Sequence, residues 1–130
     1  REARVWRKRY GAGMRQVGIL AAAGLYALDH NIARLAEDHA RARRFADAVT
    51  EVAPVVDPAA VETNIVILDL GGRPDVTGRP GTAADVVRGF ADHGVRDYAI
   101  APTRVRLVWH LDVDDAGTDL AIAAARAVFG

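Results

Sequence analysis

The chain is predicted to fold as an α+β domain, with helices packed on one face of a small, mostly antiparallel three-stranded sheet. Three observations predict this. The periodic segments run helix, helix, helix, strand, helix, strand, strand, helix, and the last two strands are joined by a turn at Pro102-Thr103. Apolar residues make up 51% of the chain and charged residues 26%, the balance of a globular protein. Aromatics are only 6%, while Ala, Val and Leu abound, which suits helices on a modest sheet. The 130 residues are one domain's worth, enough to bury roughly two-thirds of the unfolded surface.

Arg1 to Tyr10 has helical spacing, with Val5 the lone aliphatic among charges. Gly11 and Gly13 break it, because glycine adopts backbone angles that a side chain forbids. From Met14 to His30 a helix is predicted, with Val17, Leu20, Ala21, Gly24, Leu25 and Leu28 as an apolar stripe. The run from Ala21 to Gly24 makes this helix thin, so another backbone can approach closely, as in a buried helix. Asp29 or Asn31 is the expected cap of the next helix, Ile32 to Val52. Its apolar positions are Ile32, Leu35, Ala36, His39, Ala42, Phe45, Ala46 and Val49, and Glu37 and Arg41 pair at i and i+4.

Pro54 and Pro58 bracket a short extended piece. Asn64 to Leu70 is the clearest strand, and its unbroken run Ile65, Val66, Ile67, Leu68 predicts burial on both faces. Gly71 to Gly81, with further glycines and two prolines, reads as a surface loop. Thr82 caps a helix from Ala83 to His93, which Gly94 ends. Val95 to Ala101 and Val105 to His110 are strands, and Asp114 starts a last helix from Asp115 to Phe129.

Composition excludes several classes. Formal net charge is zero, so no global field attracts nucleic acid or acidic lipid. Cysteine is absent, which removes disulfides and thiolate metal sites. The longest weakly polar run, Val17 to Leu28, is too short to span a bilayer. No secretory signal is legible, and the chain opens at Arg1 inside what reads as a helix, so its N-terminus is expected to have been cut from something longer. Sixteen arginines accompany one lysine, Lys8. An enzyme that builds a Schiff base needs a lysine, so that count constrains the chemistry.

Lys8, Gly11, Gly13 and Arg15 form the first candidate site. Glycines ahead of a helix let N–H groups point at an anion, and Arg15, read in the first turn, gains nothing from the helix dipole. Either these residues receive a phosphate or carboxylate, or they are a helix break with solvated charges; the spacing is neither a P-loop nor a dinucleotide fingerprint. Arg106 is the second candidate. With Arg104 it shares one strand face, opposite Val105 and Leu107, where a guanidinium takes a carboxylate bidentately or is an edge charge facing water.

HLDVDDAGTD fails as a calcium loop, since Ala116 and Ala123 stand where acidic ligands belong; Asp112, Asp114 and Asp115 read instead as a strand end and helix cap. The histidines, His30, His39, His93 and His110, lack metal-ligand spacing, so no metal is expected; His110 alone follows the candidate anion strand. Arg1, Arg4, Arg7, Lys8 and Arg9 with Trp6 and Tyr10 read as a solvated face or subunit contact rather than a nucleic-acid stripe.

In order, these pieces resemble the C-terminal part of the low-specificity L-threonine aldolases, pyridoxal-phosphate enzymes of the aspartate-aminotransferase fold. The family's WRK, GGGMRQ and GILAAAGxYAL appear as WRKRYGAGMRQVGILAAAGLYALDHN. Its RLxEDH appears as RLAEDH, its TNMV as TNIV, and its RLVTHLDV as RLVWHLDV. Four blocks in order cover nearly the whole chain.

The resemblance implies retro-aldol cleavage of L-threonine or L-allo-threonine to glycine and acetaldehyde. It implies that residues 1–31 are a remnant of the large domain of fold type I, and residues 32–130 the small C-terminal domain. It implies that Arg106 clamps the substrate α-carboxylate, and that Lys8 and Arg15 lend positive charge near the cofactor phosphate, across a subunit boundary of a homo-oligomer, tetrameric in the complete enzyme. A cytoplasmic protein without membrane or nucleic-acid partners is expected. The family's Schiff-base lysine, its pyridine-pairing aspartate and its ring-stacking histidine belong to upstream blocks that do not match here, and Lys8 matches a different lysine. No catalytic residue is therefore expected in this chain, nor catalysis by it alone. Two departures bear on the site: Ala12 replaces the middle glycine of GGG, and Trp109 replaces a threonine. The competing readings are a non-catalytic α+β interaction or dimerisation module, and part of another β-eliminating pyridoxal-phosphate lyase.

Overall fold

The fold is given by a computed structural model that describes residues 2–71 and 81–130. The predicted surface loop lies, but for its two ends, outside the described residues. The chain divides into two compact units, Arg1–Ala33 and Arg34–Gly130. The first holds helices α1 (Glu2–Arg9) and α2 (Val17–His30). The second holds α3 (Leu35–Val52), a short 3-10 turn at Pro58–Ala60, β1 (Ile65–Asp69), α4 (Ala83–Asp92), β2 (Tyr98–Ala101), β3 (Arg104–Val108) and α5 (Asp115–Phe129). The described residues thus make an α+β structure of five helices and one antiparallel three-stranded sheet in the order β1-β3-β2.

In the first unit α1 stops where glycine allows it. The Gly11 N–H bonds the Lys8 carbonyl and the Ala12 N–H the Arg7 carbonyl, each at 3.0 Å, with Gly11 at φ +75°. That pair of hydrogen bonds closes a helix when one residue takes a left-handed conformation, which glycine does without strain. α2 begins at Val17, three residues later than predicted, behind Gln16 in the left-handed conformation at φ 54°. Nothing in α2 is buried, so the expected burial of its thin face is not met within this unit.

The next helix also starts late. Residues 31–34 form a turn, Asn31 closes α2 through its N–H on the Ala27 carbonyl, and Arg34 precedes α3 without a side-chain cap. Neither Asp29 nor Asn31 caps α3. Its predicted apolar stripe holds from Ala42 through Phe45 and Ala46 to Val49, all buried. The first turn departs from it: Leu35 and His39 are exposed, while Asp38, from the predicted polar face, is buried. Burial is tolerable because Arg34 and Arg41 reach the Asp38 carboxylate at 3.3 and 3.7 Å.

α5 contacts both α3 and α4, and α3 and α4 contact the sheet. Between them lies a core in which Phe45 meets Trp109 at 5.0 Å and Phe90 at 6.5 Å, and Phe90 meets Phe129 at 6.3 Å. Gly89 lets α4 and α5 close up, since a Cβ there would come within 2.8 Å of a Val128 methyl. The predicted caps of α4 and α5 both form: Thr82 accepts from the Asp85 N–H and Asp114 from the Gly117 N–H.

The helices cover one sheet face. Val66, Leu68, Val105 and Leu107 point into the core. Ile65 is 40% exposed and Ile67 is half-buried, so β1 is not enclosed on both faces as its apolar run predicted. A three-stranded antiparallel sheet needs cover on one side only.

Candidate functional site

The two candidate stretches fall in different units. In the first, Lys8 lies in the last turn of α1 and Arg15 in the turn before α2, not inside that helix. Both are exposed, and neither enters an ion pair among the described residues. A Cβ built on Gly13 would stand 3.1 Å from Lys8 Nζ, so the ammonium uses space that a side chain would close. Gln16 offers no side-chain acceptor to the first N–H groups of α2. Ala12 keeps a negative φ, so the residue replacing glycine there is unstrained. The aromatics of α1 already have partners: Trp6 stacks on Tyr10 at 6.1 Å, and the Arg9 guanidinium sits 4.9 Å over the indole.

In the second unit Arg106 stands on β3, the middle strand, not on an edge. Along β3 the pattern alternates: Arg104, Arg106 and Val108 are exposed, Val105 and Leu107 buried. Directly opposed residues in an antiparallel pair share a face. Arg106 pairs with Ile67 of β1 and with Tyr98 of β2, so Ile67, Arg106 and Tyr98 form a row across the open face. Tyr98 is 65% exposed. The register alone creates this row, which is why neither Ile67 nor Tyr98 stands out in the sequence.

Arg104 occupies the next row, opposite Asp69, and donates from Nε to Asp69 Oδ2 at 2.9 Å. The Gly71 N–H, then the Arg104 guanidinium, hold the Asp69 carboxyl below its usual range. Arg106 has no hydrogen bond or ion pair among the described residues. One of the two arginines on this face is thus neutralised and the other is available.

Trp109 does not wall this face. It is 2% exposed, packs on Phe45 and donates from Nε1 to Thr118 Oγ1 at 3.0 Å. Of the acidic run, Asp114 caps α5 as predicted, Asp112 lies in a turn beyond the end of β3, and Asp115 accepts from Arg41 Nε at 2.9 Å. No cluster able to hold a metal occurs among the described residues, and no described helix is long and apolar enough to cross a membrane. One unusual carboxyl carried no sequence signal. Both oxygens of Asp97, just before β2, are buried without a hydrogen-bond partner among the described residues, and burial pushes its carboxyl up to about 6.

The first unit thus presents exposed cations, Lys8 and Arg15, at a glycine turn, and the second, by itself, presents a guanidinium, Arg106, on the open sheet face without a partner among the described residues.

A profile for beta-eliminating lyases matches residues 1–71, more than half the chain. The chain is 35% identical over 129 residues to a probable low-specificity L-threonine aldolase 2 of Arabidopsis thaliana, covering 98% of the chain and 35% of that relative. It is 34% identical over 110 residues to low-specificity L-threonine aldolase 1 of the same plant, covering 84% of the chain and 29% of the relative. It is 48% identical over 66 residues to the low specificity L-threonine aldolase of Escherichia coli (strain K12), covering 51% of the chain and 19% of the relative. The chain spans about a third of the length of the plant relatives it matches. With more than half its length matched by the family profile and nearly all of it aligned to a relative of that kind, the chain belongs to the beta-eliminating lyase family.

Proposed function

We propose that this chain is the C-terminal, carboxylate-binding part of a pyridoxal-phosphate-dependent low-specificity L-threonine aldolase. Residues 1–31 are the end of its large domain and residues 32–130 its small domain. The substrates are L-threonine and L-allo-threonine, and the products glycine and acetaldehyde. The observation that carries this reading is Arg106: an exposed guanidinium on the middle strand, without a partner among the described residues, beside an Arg104 already bound to Asp69.

Arg106 takes both carboxylate oxygens of the amino acid through parallel N–H donors. This holds Cα in a fixed orientation, with Ile67 and Tyr98 flanking the guanidinium. Lys8 and Arg15 hold the cofactor phosphate by charge, contributed across a subunit boundary in a homo-oligomer. When bound, the cofactor supplies a sink for the electron pair released at Cα as the Cα–Cβ bond breaks. The lysine that anchors it covalently is supplied by polypeptide other than this chain, so the chain alone has no aldolase activity.

Arg106→Gln in the complete enzyme tests the reading. KM for L-threonine is expected to rise about 10- to 100-fold, the worth of charge-assisted hydrogen bonds to one carboxylate. An unchanged KM sinks the assignment.

A further inference from the structure

β2 stops pairing before β3 does. The register ends at Tyr98 opposite Arg106, while β3 continues to Val108. Beyond Arg106 the flank of β3 away from β1 therefore has no strand beside it. The segment from Gly94 to Arg96 passes there instead, and the first turns of α5 close the other side. The result is a cavity of about 340 Å³, within the range of small-molecule sites.

Leu107, Trp109 and Leu120 provide apolar lining, and Arg96, His110 and Asp112 provide polar groups. Arg96 is exposed and has no ion pair or hydrogen bond among the described residues. His110 Nδ1 accepts the Asp112 backbone N–H at 3.3 Å. A neutral imidazole that accepts at Nδ1 carries its proton on Nε2, so His110 offers a donor there. The Asp112 carboxylate is 3.7 Å from the same ring and 86% exposed, hence free to take a cation. Asp97 follows Arg96 in the chain but is not part of the lining, and neither is Arg106.

We propose that this cavity binds an apolar α-amino acid. One guanidinium and one carboxylate make the lining nearly neutral yet dipolar. A simple carboxylic acid would satisfy Arg96 but face Asp112, and a simple amine would satisfy Asp112 but face Arg96. A zwitterion satisfies both: its carboxylate meets Arg96 and the His110 Nε2–H, its ammonium meets Asp112, and its side chain covers Leu107, Trp109 and Leu120. Bidentate capture by arginine fixes the orientation.

The test is calorimetric titration of the 130-residue chain with L-leucine as probe, beside 4-methylpentanoate and 3-methylbutylamine, which each lack one charge. Saturable binding of one leucine per chain is expected, with both analogues weaker by about tenfold or more. Arg96→Gln and Asp112→Asn are each expected to weaken leucine by a similar factor. Both side chains are exposed, so circular dichroism and the thermal midpoint should match the parent chain. The proposal is overturned if leucine does not saturate, or if either analogue binds as tightly. It is also overturned if Arg106→Gln abolishes binding while Arg96→Gln does not, which would place the ligand on the open sheet face.

Discussion

Arg104 and Arg106 stand two residues apart on the same face of β3, yet among the described residues only Arg104 has a carboxylate partner, Asp69 Oδ2 at 2.9 Å. The register explains the difference. Asp69 is opposite Arg104, whereas Ile67 and Tyr98 are opposite Arg106. Two guanidiniums with the same sequence context are thereby separated into a structural one and an available one.

Arg104→Gln is accordingly expected to leave KM for L-threonine in the complete enzyme near that of the parent. It removes an ion pair exposed at both ends, which solvent screening leaves with little net effect on stability. Urea denaturation and steady-state kinetics on the same variant check both halves of the expectation. A KM rise as large as that of Arg106→Gln would assign the carboxylate to the wrong arginine.

Trp109 is expected to matter for stability rather than for substrate choice. Thr118→Val leaves the buried indole N–H without its acceptor and should cost about 1–3 kcal/mol. Trp109→Ala, which also empties the space against Phe45, should cost about 3–5 kcal/mol. Chemical denaturation of the chain reads both values. A Trp109→Ala variant as stable as the parent would contradict the core position.

Asp97 should give the chain an acid-side stability gradient. Its folded carboxyl is raised to about 6 from 3.8. As pH rises from about 4, the unfolded chain loses this proton first and stability falls; the fall is complete above about 6, where the folded carboxyl also ionises. Asp97→Asn removes the gradient and should stabilise the chain at pH 7 by about 1 kcal/mol, allowing for partial solvent screening. Asp69 and Asp115, both held low, act in the opposite sense: their contribution is present above 3.8 and is lost as pH falls below it. Thermal midpoints at pH 4, 5, 6 and 7 for parent and variant separate the two windows. Parallel curves would show that Asp97 does not titrate in this way.

Pyridoxal phosphate added to the purified chain is expected to give no visible absorbance of a lysine-bound cofactor. Lys8 is the one lysine present, and it lies exposed at the end of α1. Borohydride reduction followed by mass analysis is the sharper readout. Stoichiometric labelling of Lys8 would overturn its assignment to phosphate binding.

Short-range features were legible in the residues themselves. Thr82 and Asp114 cap their helices through N–H groups three residues on, and Gly11 and Gly94 terminate theirs at positive φ. The alternation that puts Arg104 and Arg106 opposite Val105 and Leu107 was equally plain. Each depends on a side chain and the backbone within one turn or pleat.

Contacts between distant segments were not legible. The run from Ile65 to Leu68 has no polar residue to mark which face stays open; the placement of the helices on one side leaves Ile65 and Ile67 outward. Asp38 resembles any surface aspartate until Arg34 and Arg41 close over it. Asp29 and Asn31 are good capping residues displaced by a turn at residues 31–34.

By itself the sequence determined the element types, most of their ends, the family, and which arginines were worth watching. Those properties are set by local backbone geometry and by residue patterns a few positions long. Only the tertiary structure decided that Arg106, between Ile67 and Tyr98, is unpaired among the described residues, that Trp109 turns into the core, and that the carboxyl oxygens of Asp97 are buried without a partner among those residues. Strand register and helix cover are long-range choices, made by burial across the whole unit and written in no single segment.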